Sequence, residues 1–434
     1  MDFTEEIMTA VGHSLGWYSL GGVVAMCSYS LRGIAAILGC NITVSLVILS
    51  LSWDENSIQD TKHSSGSQWP FSNITVHGVS CSKLMAADEG ELDRAHSMMA
   101  GHPEIFSFTS TAVFADVAES CAEFVRRRSY ITDTLTSEEK DFPIAFSLLV
   151  YKDIVQVERL LRAVYRPQNF YCFHVDKKAN LDFNNHLENI VYCFDNVFIA
   201  PTSVDVEWGA FNVIEAELIC IKELLKYRWK YFINLTGQEF PIKTNLQLVK
   251  ILKRFEGAND IQGSLKRRNI HRTLSREPAP HGITLTKGSV HIAAVRGFVE
   301  FLTNDQRAQD FLLWLNGTYV PDETFFSSLN YSPNLAAPGG YRGSFEEMEN
   351  RPSMSRYKLW FPSLCHGKWQ RGICIFNVGD LHYMAESNQL FANKFEQDYG
   401  QIAYSCLEEW HRNRTRDEYF GLYAFDSDIY RTLL

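Results

Sequence analysis

The chain has 434 residues, of which 46% are apolar and 21% charged, with a formal net charge of -10. That composition can bury a substantial core and excludes a disordered chain. The acidic balance lacks the basic surplus that a grip on DNA or RNA requires, so nucleic acid is not expected as a partner.

The first patterned stretch is a candidate membrane span. Gly33 to Trp53, GIAAILGCNITVSLVILSLSW, carries no charge for 21 residues, and a helix of that length crosses roughly 30 Å of hydrocarbon. Arg32 precedes the run, and Asp54 and Glu55 follow it. This asymmetry makes residues 1–32 a cytosolic tail, residues 33–53 a signal anchor and the remainder luminal. The run starts too late and is too long for a cleaved signal peptide. Ile7 to Ser30 is also uncharged, but a second span there would leave only Leu31, Arg32 and Gly33 for the turn.

Beyond the anchor, residues 54–115 are polar, rich in Ser, His and Gly and weakly patterned, as expected of a stem. Order is expected from about Asp116, which makes 116–434 a single domain. Eight cysteines follow the anchor (Cys81, Cys121, Cys172, Cys193, Cys220, Cys365, Cys374, Cys406) with no zinc-like CxxC pair. Four disulfides are the natural reading; spacing alone leaves 105 pairings, although Cys365 and Cys374 can close a local loop. Glycosylation sequons stand at Asn73, Asn316, Asn330 and Asn413. A fifth, Asn234, lies in the apolar run YFINLTG, where burial would leave it unused, and a sixth, Asn41, falls inside the span.

From Phe142 the pattern alternates. PIAFSLLVY reads as a strand, IVQVERLLRAVY as a helix, FYCFHVD as a strand, NVFIA as a strand, NVIEAELICIKELLKY as a helix and YFINLTG as a strand. Ile214, Leu218, Ile221 and Leu225 stripe one face of the second helix. Strands alternating with helices imply an α/β domain, a mostly parallel sheet with helices on both faces. In such sheets ligands bind outside the carboxyl ends of the strands, and Asp176, Lys177 and Lys178 stand at one such end.

The stretches FPIAFSLLVY, RLLRAVYRPQNFYCFHVDKKA, EWGAFNVIEAELICIKELL, WKYFINLTGQEFPIKTN, TYVPDETFF, GICIFNVGDL and LFANKFEQD together resemble the core 2/I-branching β1,6-N-acetylglucosaminyltransferases, a family that includes peptide O-xylosyltransferases. The resemblance runs from Cys81 to about Cys406. It implies a single-pass type II Golgi membrane protein with a GT-A-like, Rossmann-like fold. It also implies an inverting transfer from a UDP-sugar to an O-glycan or glycoprotein acceptor, with no metal and no other cofactor. A homodimer is compatible with this reading. The implied disulfides are Cys81–Cys406, Cys121–Cys193, Cys172–Cys220 and Cys365–Cys374.

Glycosyl transfer needs a base for the acceptor hydroxyl and positive charge for the departing diphosphate. The resemblance assigns the base to Glu323 and the diphosphate cations to Arg371 and Lys394, an Arg fork and a Lys point charge in place of a divalent ion. It assigns the nucleotide pocket to Asp176, Lys177, Tyr151 and Trp208. The only Asp-x-Asp, Asp426-Ser427-Asp428, falls in the last nine residues and reads as a solvated tail. Gln262 stands where the branching enzymes have a glutamate that contacts the acceptor, and Trp360 is a candidate acceptor platform. Val320 and Phe325-Phe326 replace the family's usual Ser and Trp around the base, and Thr236 replaces a cysteine. GlcNAc is the default donor sugar. UDP-glucose or UDP-xylose is the alternative, and a non-catalytic luminal glycan-binding protein is the third reading.

Overall fold

The computed structural model describes residues 16–20, 23–27, 69, 71–101, 110–115, 117 and 120–431. The expected span at 33–53 and the Asn41 sequon lie outside these residues. No helix among the described residues is long and apolar enough to cross a membrane. Gly16–Leu20 and Val23–Cys27 pair antiparallel, and Gln68–Leu434 forms a separate compact unit.

Within that unit the alternation is regular: β1 (Ile144–Val150), α1 (Ile154–Val164), β2 (Phe170–Val175), α2 (Leu181–Val191), β3 (Val197–Ile199), α3 (Asn212–Leu224) and β4 (Tyr231–Thr236). β5 (Glu239–Pro241), α4 (Asn245–Arg254), β6 (Asp260–Ile261) and β7 (Ile292–Val295) follow. Six strands form the main sheet in the order β3-β2-β1-β4-β7-β6. β3, β2, β1 and β4 are mutually parallel, and β7 is antiparallel to β4 and β6. The first βαβ crossover thus puts β1 at the centre, and its carboxyl end opens onto the same edge as those of β2 and β4.

Strand periodicity sorts the side chains into two cores. Phe146, Leu148, Tyr171, Phe173, Ile233 and Leu235 pack against α1, α2 and α4. Ala145, Cys172 and Phe232 face the other way, toward α3 and the later helices α5 (Arg296–Asn304), α6 (Gln306–Leu315) and α7 (Asp322–Asn330). Ile214, Leu218 and Ile221 of the predicted stripe are buried there. Cys172–Cys220 ties β2 to α3 inside this second core.

A second sheet orders β8 (Arg356–Tyr357), β11 (Phe391–Asn393) and β5 as β8-β11-β5. Beside it, β9 (Lys368–Gln370) and β10 (Ile373–Ile375) form a hairpin. All four disulfides implied by the resemblance are present.

Order begins earlier than the composition of the stem suggests. Cys81–Met85 and Glu89–Gly101 are helices, and Cys81, Leu84 and Met85 are buried in a third core with Cys406 and Leu407 of α8 (Gln401–Tyr419). The Cys81–Cys406 bridge and the Val76 amide, which donates to Glu409 Oε2 at 2.6 Å, hold this segment on α8. The carboxyl end is likewise no free tail. Ser427 and Tyr430 are buried, and Asp428 pairs with Arg254 of α4 at 2.6 Å. One sequon is corrected by burial: Asn330 closes α7 inside the fold, where its Oδ1 accepts from Asn259 Nδ2 at 3.0 Å, and a glycan needs an exposed asparagine. Asn73 and Asn316 are exposed and Asn413 is half-buried on α8. Asn234 is buried on β4, as its apolar run implied.

Candidate active site

The carboxyl edge of the sheet holds a cavity of about 420 Å³ whose lining includes Tyr151, Lys152, His174, Asp176, Lys178, Trp208, Glu217 and Arg371. The floor is polar because three adjacent strands and one helix put polar side chains on the same face. Ser147 of β1 stands opposite Asn234 of β4 in the ladder, and Glu217 of α3 reaches both, with Asn234 Nδ2 3.3 Å from its Oε2 and Ser147 Oγ on its Oε1. Burial pushes the Glu217 carboxyl up to about 7.

Asp176 is buried at the end of β2, and its carboxylate accepts from Lys178 Nζ at 2.5 Å, from the Lys178 amide at 3.1 Å and from the Val206 amide at 3.3 Å. His174, one pleat back on the same face, accepts from the Val204 amide through Nε2 at 3.2 Å. Burial holds its imidazole below the usual range. The loop that carries Trp208 is therefore clamped to the strand end from both sides. Trp208 is 69% exposed and meets Tyr319 edge-on, with ring centroids 5.8 Å apart. Both lysines that follow Asp176 are exposed; Lys178 lines the cavity and Lys177 stands outside its lining.

A smaller cavity of about 190 Å³ shares Tyr151, Lys152, Gln238 and Arg371 with the first and adds Gln370, Lys394 and Glu396. Arg371 is set by the β9–β10 hairpin. Its two-residue turn is Arg371-Gly372, with φ of +52° and +80°, the left-handed pair that a type I′ turn requires. Cys365–Cys374 braces the hairpin from beneath. Lys394 Nζ lies 3.2 Å from Gln370 Oε1. Burial, together with the Lys152 and Arg371 charges, holds the Lys394 ammonium below its ordinary range against the opposite pull of Glu396. Trp360 is bridged to Ile373 of the same hairpin and is 55% exposed.

Glu323 lies in the first turn of α7. The Val320 amide donates to Gly209 O at 2.8 Å, joining the loop before α7 to the loop that carries Trp208. Both cations that hold the Glu323 carboxylate address the same oxygen: Arg272 Nη1 lies 2.6 Å from Oε2 and Lys287 Nζ 3.6 Å. Among the described residues, no hydrogen bond reaches Oε1. Asp322 beside it is buried, and burial plus the Glu323 charge push its carboxyl up to about 6. Half-buried Gln262 reaches this region through its backbone. Gly288 packs so closely against Gln262 O that a Cβ there would lie 2.4 Å from it, and the Gly288 amide donates to Glu323 O at 2.6 Å.

Of the residues the sequence singles out, the structure brings Asp176, Tyr151, Trp208, Arg371 and Lys394 to the two cavities, and it adds Lys152, Lys178 and Glu217 to their lining; Arg272 and Lys287 join Glu323. Asp426 and Asp428 line a different cavity with Lys250 and Arg254. Among the described residues, the one cluster spaced as metal ligands is Cys365, Cys374 and Asp380, where both cysteines are already spent in a disulfide.

Residues 144–385, from β1 to the helix that follows β10, match the family described as Core-2/I-Branching enzyme. The chain belongs to this family. It is 34% identical over 357 residues to the N-acetyllactosaminide beta-1,6-N-acetylglucosaminyl-transferase of Homo sapiens, covering 75% of this chain and 86% of that protein. The Mus musculus protein of the same description is 37% identical over 326 residues, or 69% and 80% of the two chains. A beta-1,3-galactosyl-O-glycosyl-glycoprotein beta-1,6-N-acetylglucosaminyltransferase of Danio rerio is 32% identical over 399 residues, or 85% and 91%. The Core-2/I-branching chain described here is accordingly a β-1,6-N-acetylglucosaminyltransferase-like glycosyltransferase.

Proposed function

We propose that the chain transfers N-acetylglucosamine from its UDP donor, with inversion, onto the 6-hydroxyl of a galactose or N-acetylgalactosamine in core 1 O-glycans. The observation that carries this is the division of labour along one sheet edge. An acid and aromatics at Asp176, Tyr151 and Trp208 border the large cavity, and Arg371 and Lys394 border the small one. Outside both linings, Glu323 presents one carboxylate oxygen that no hydrogen bond reaches among the described residues.

In this reading the uridine occupies the Asp176 side and the diphosphate the Arg371 and Lys394 side, with Lys178 taking the place first given to Lys177. Asp176 already spends its carboxylate on Lys178 and Val206, which suits a role in nucleotide binding more than metal ligation. Glu323 Oε1 takes the proton of the acceptor hydroxyl as that oxygen attacks the anomeric carbon, and the bond to UDP breaks on the opposite face. The electron pair leaves on the β-phosphate, where the two cations meet it. Arg272 and Lys287 keep Oε2 occupied and so orient Oε1. Trp360, bridged to the Arg371 hairpin, and Gln262 flank the acceptor. The mostly parallel sheet with its ligand edge suits a GT-A-like, metal-independent enzyme. We assign it to the Golgi membrane as a single-pass type II protein. The four disulfides, which need an oxidising compartment, and the uncharged run at 33–53 support that assignment.

The test offers the purified full chain UDP-GlcNAc, UDP-glucose and UDP-xylose with Galβ1,3GalNAc and N-acetyllactosamine acceptors, followed by linkage analysis. GlcNAc in β1,6 linkage on the core 1 disaccharide is the expected product. Preference for another donor sugar, or a product in another linkage, overturns the assignment.

A further inference from the structure

Lys152 belongs to both cavities. It follows Tyr151 at the carboxyl end of β1, the central strand, and it lines the large cavity with Asp176 and Trp208 and the small one with Arg371 and Lys394. Any ligand that runs from one cavity to the other passes the four residues they share, Tyr151, Lys152, Gln238 and Arg371, and Lys152 is the central-strand cation among them. Its nearest carboxylate is Asp153, with Nζ 3.2 Å from Oδ2. That contact between neighbours on a partly exposed side chain is a weak hold.

The charge balance of the small cavity is uneven. Lys152, Arg371 and Lys394 stand against one carboxylate, Glu396, which is itself bound to Lys368 at 2.8 Å. Burial is the first cause that lowers the Lys394 ammonium, with the Lys152 and Arg371 charges adding to it against Glu396. A cavity whose cations outnumber its carboxylates is suited to a ligand that brings more than one negative charge.

Resting on the donor reading above, we propose that Lys152 is a third phosphate-binding residue, set with Arg371 where the two cavities join so that it holds the phosphate nearer the nucleoside. Lys394, found only in the small cavity, holds the terminal phosphate. The two lysines therefore differ in which ligands they discriminate.

The experiment titrates uridine, UMP and UDP into the full chain, following tryptophan fluorescence or competition with a labelled nucleotide. Three variants are compared with wild type: Lys152→Met, Lys152→Arg and Lys394→Met. Losing a charge-assisted phosphate contact should weaken binding roughly ten- to a hundredfold. Lys152→Met is expected to lose that factor for both UMP and UDP and to leave uridine unchanged, whereas Lys394→Met loses it for UDP alone. Lys152→Arg should stay within a few-fold of wild type, and a native circular dichroism spectrum for each variant separates lost contact from lost fold. Unchanged UMP and UDP affinity in Lys152→Met overturns the proposal and leaves Lys152 a surface partner of Asp153. Equal weakening of uridine overturns it as well, since the residue would then shape the pocket as a whole. If wild type binds none of the three, the donor reading itself falls and takes Lys152 with it.

Discussion

Glu217→Gln probes the floor of the donor cavity through its proton. Glu217 is buried beneath Ser147 and Asn234, and burial lifts its carboxyl from the ordinary 4.5 to about 7. The native protein therefore binds this proton more tightly than the unfolded chain does. The associated stability is fully present below 4.5 and is lost as pH rises through 7. A displacement of that size corresponds to about 3 kcal/mol, since each unit is worth roughly 1.4 kcal/mol. Glutamine keeps the shape and hydrogen-bonding pattern of the neutral acid but cannot ionise. Equilibrium urea unfolding at pH 4 and pH 8, with disulfides intact, should show the stability difference between Glu217→Gln and wild type moving by about 3 kcal/mol in favour of the variant at pH 8. The same ionisation puts a negative charge in the cavity wall, so wild-type UDP affinity should fall across neutrality while that of the variant stays level. A stability difference that is the same at both pH values refutes the reasoning, because Glu217 would then be charged in both states or in neither.

Three further outcomes are expected. Glu323→Gln should lower turnover by about two to four decades while UDP affinity stays within a few-fold, measured on one folded preparation; lost UDP binding would instead make Glu323 part of the donor pocket. Arg272→Met, which removes the 2.6 Å partner of Glu323 Oε2, should lower kcat about tenfold with little change in the donor KM, whereas an effect confined to the donor KM would contradict an orienting role. Activity should persist in excess EDTA, and Arg371→Ala or Lys394→Ala should each cost on the order of a hundredfold in rate; inhibition by EDTA that Mn²⁺ restores would replace this reading with a metal site.

The parallel half of the sheet was legible because three of its four strands are apolar runs of six or seven residues, set among amphipathic helices, and both signals are local. The position of Asp176 was readable for the same reason, at a strand end, whereas Arg371, three residues before Cys374, was singled out only by the family resemblance. The placement of Lys178 was also within reach. In FHVDKK, period-2 alternation puts His174, Asp176 and Lys178 on one face and Lys177 on the other, so parity favours the residue that the structure places in the cavity. Asn330 failed for a different reason: a sequon is a three-residue pattern, and its burial is decided by the packing of α7 against distant residues such as Asn259.

Arg272 and Lys287 had no comparable signal. They lie between β6, which has two residues, and β7, in a stretch whose regular structure is three short 3₁₀ turns, Ile270–Arg272, Leu274–Arg276 and Pro280–Gly282. No periodicity runs through it to say which of several cations faces inward. What organises the stretch is non-local: the Lys287 amide donates to Ser264 O at 2.8 Å and the Gly288 amide to Glu323 O at 2.6 Å, across a contact only glycine allows. The early helices are a second case, since Cys81 finds its partner 325 residues away. Both cases divide the site along one line. On the proposed reading, Asp176 and Tyr151 of the donor side sit at strand ends, whose geometry follows from pleat and parity, whereas the acceptor side is built on loops held by distant contacts. The donor side was therefore the part that a single sequence could disclose, and the loops around Glu323 are where a change of acceptor can be accommodated without disturbing the sheet.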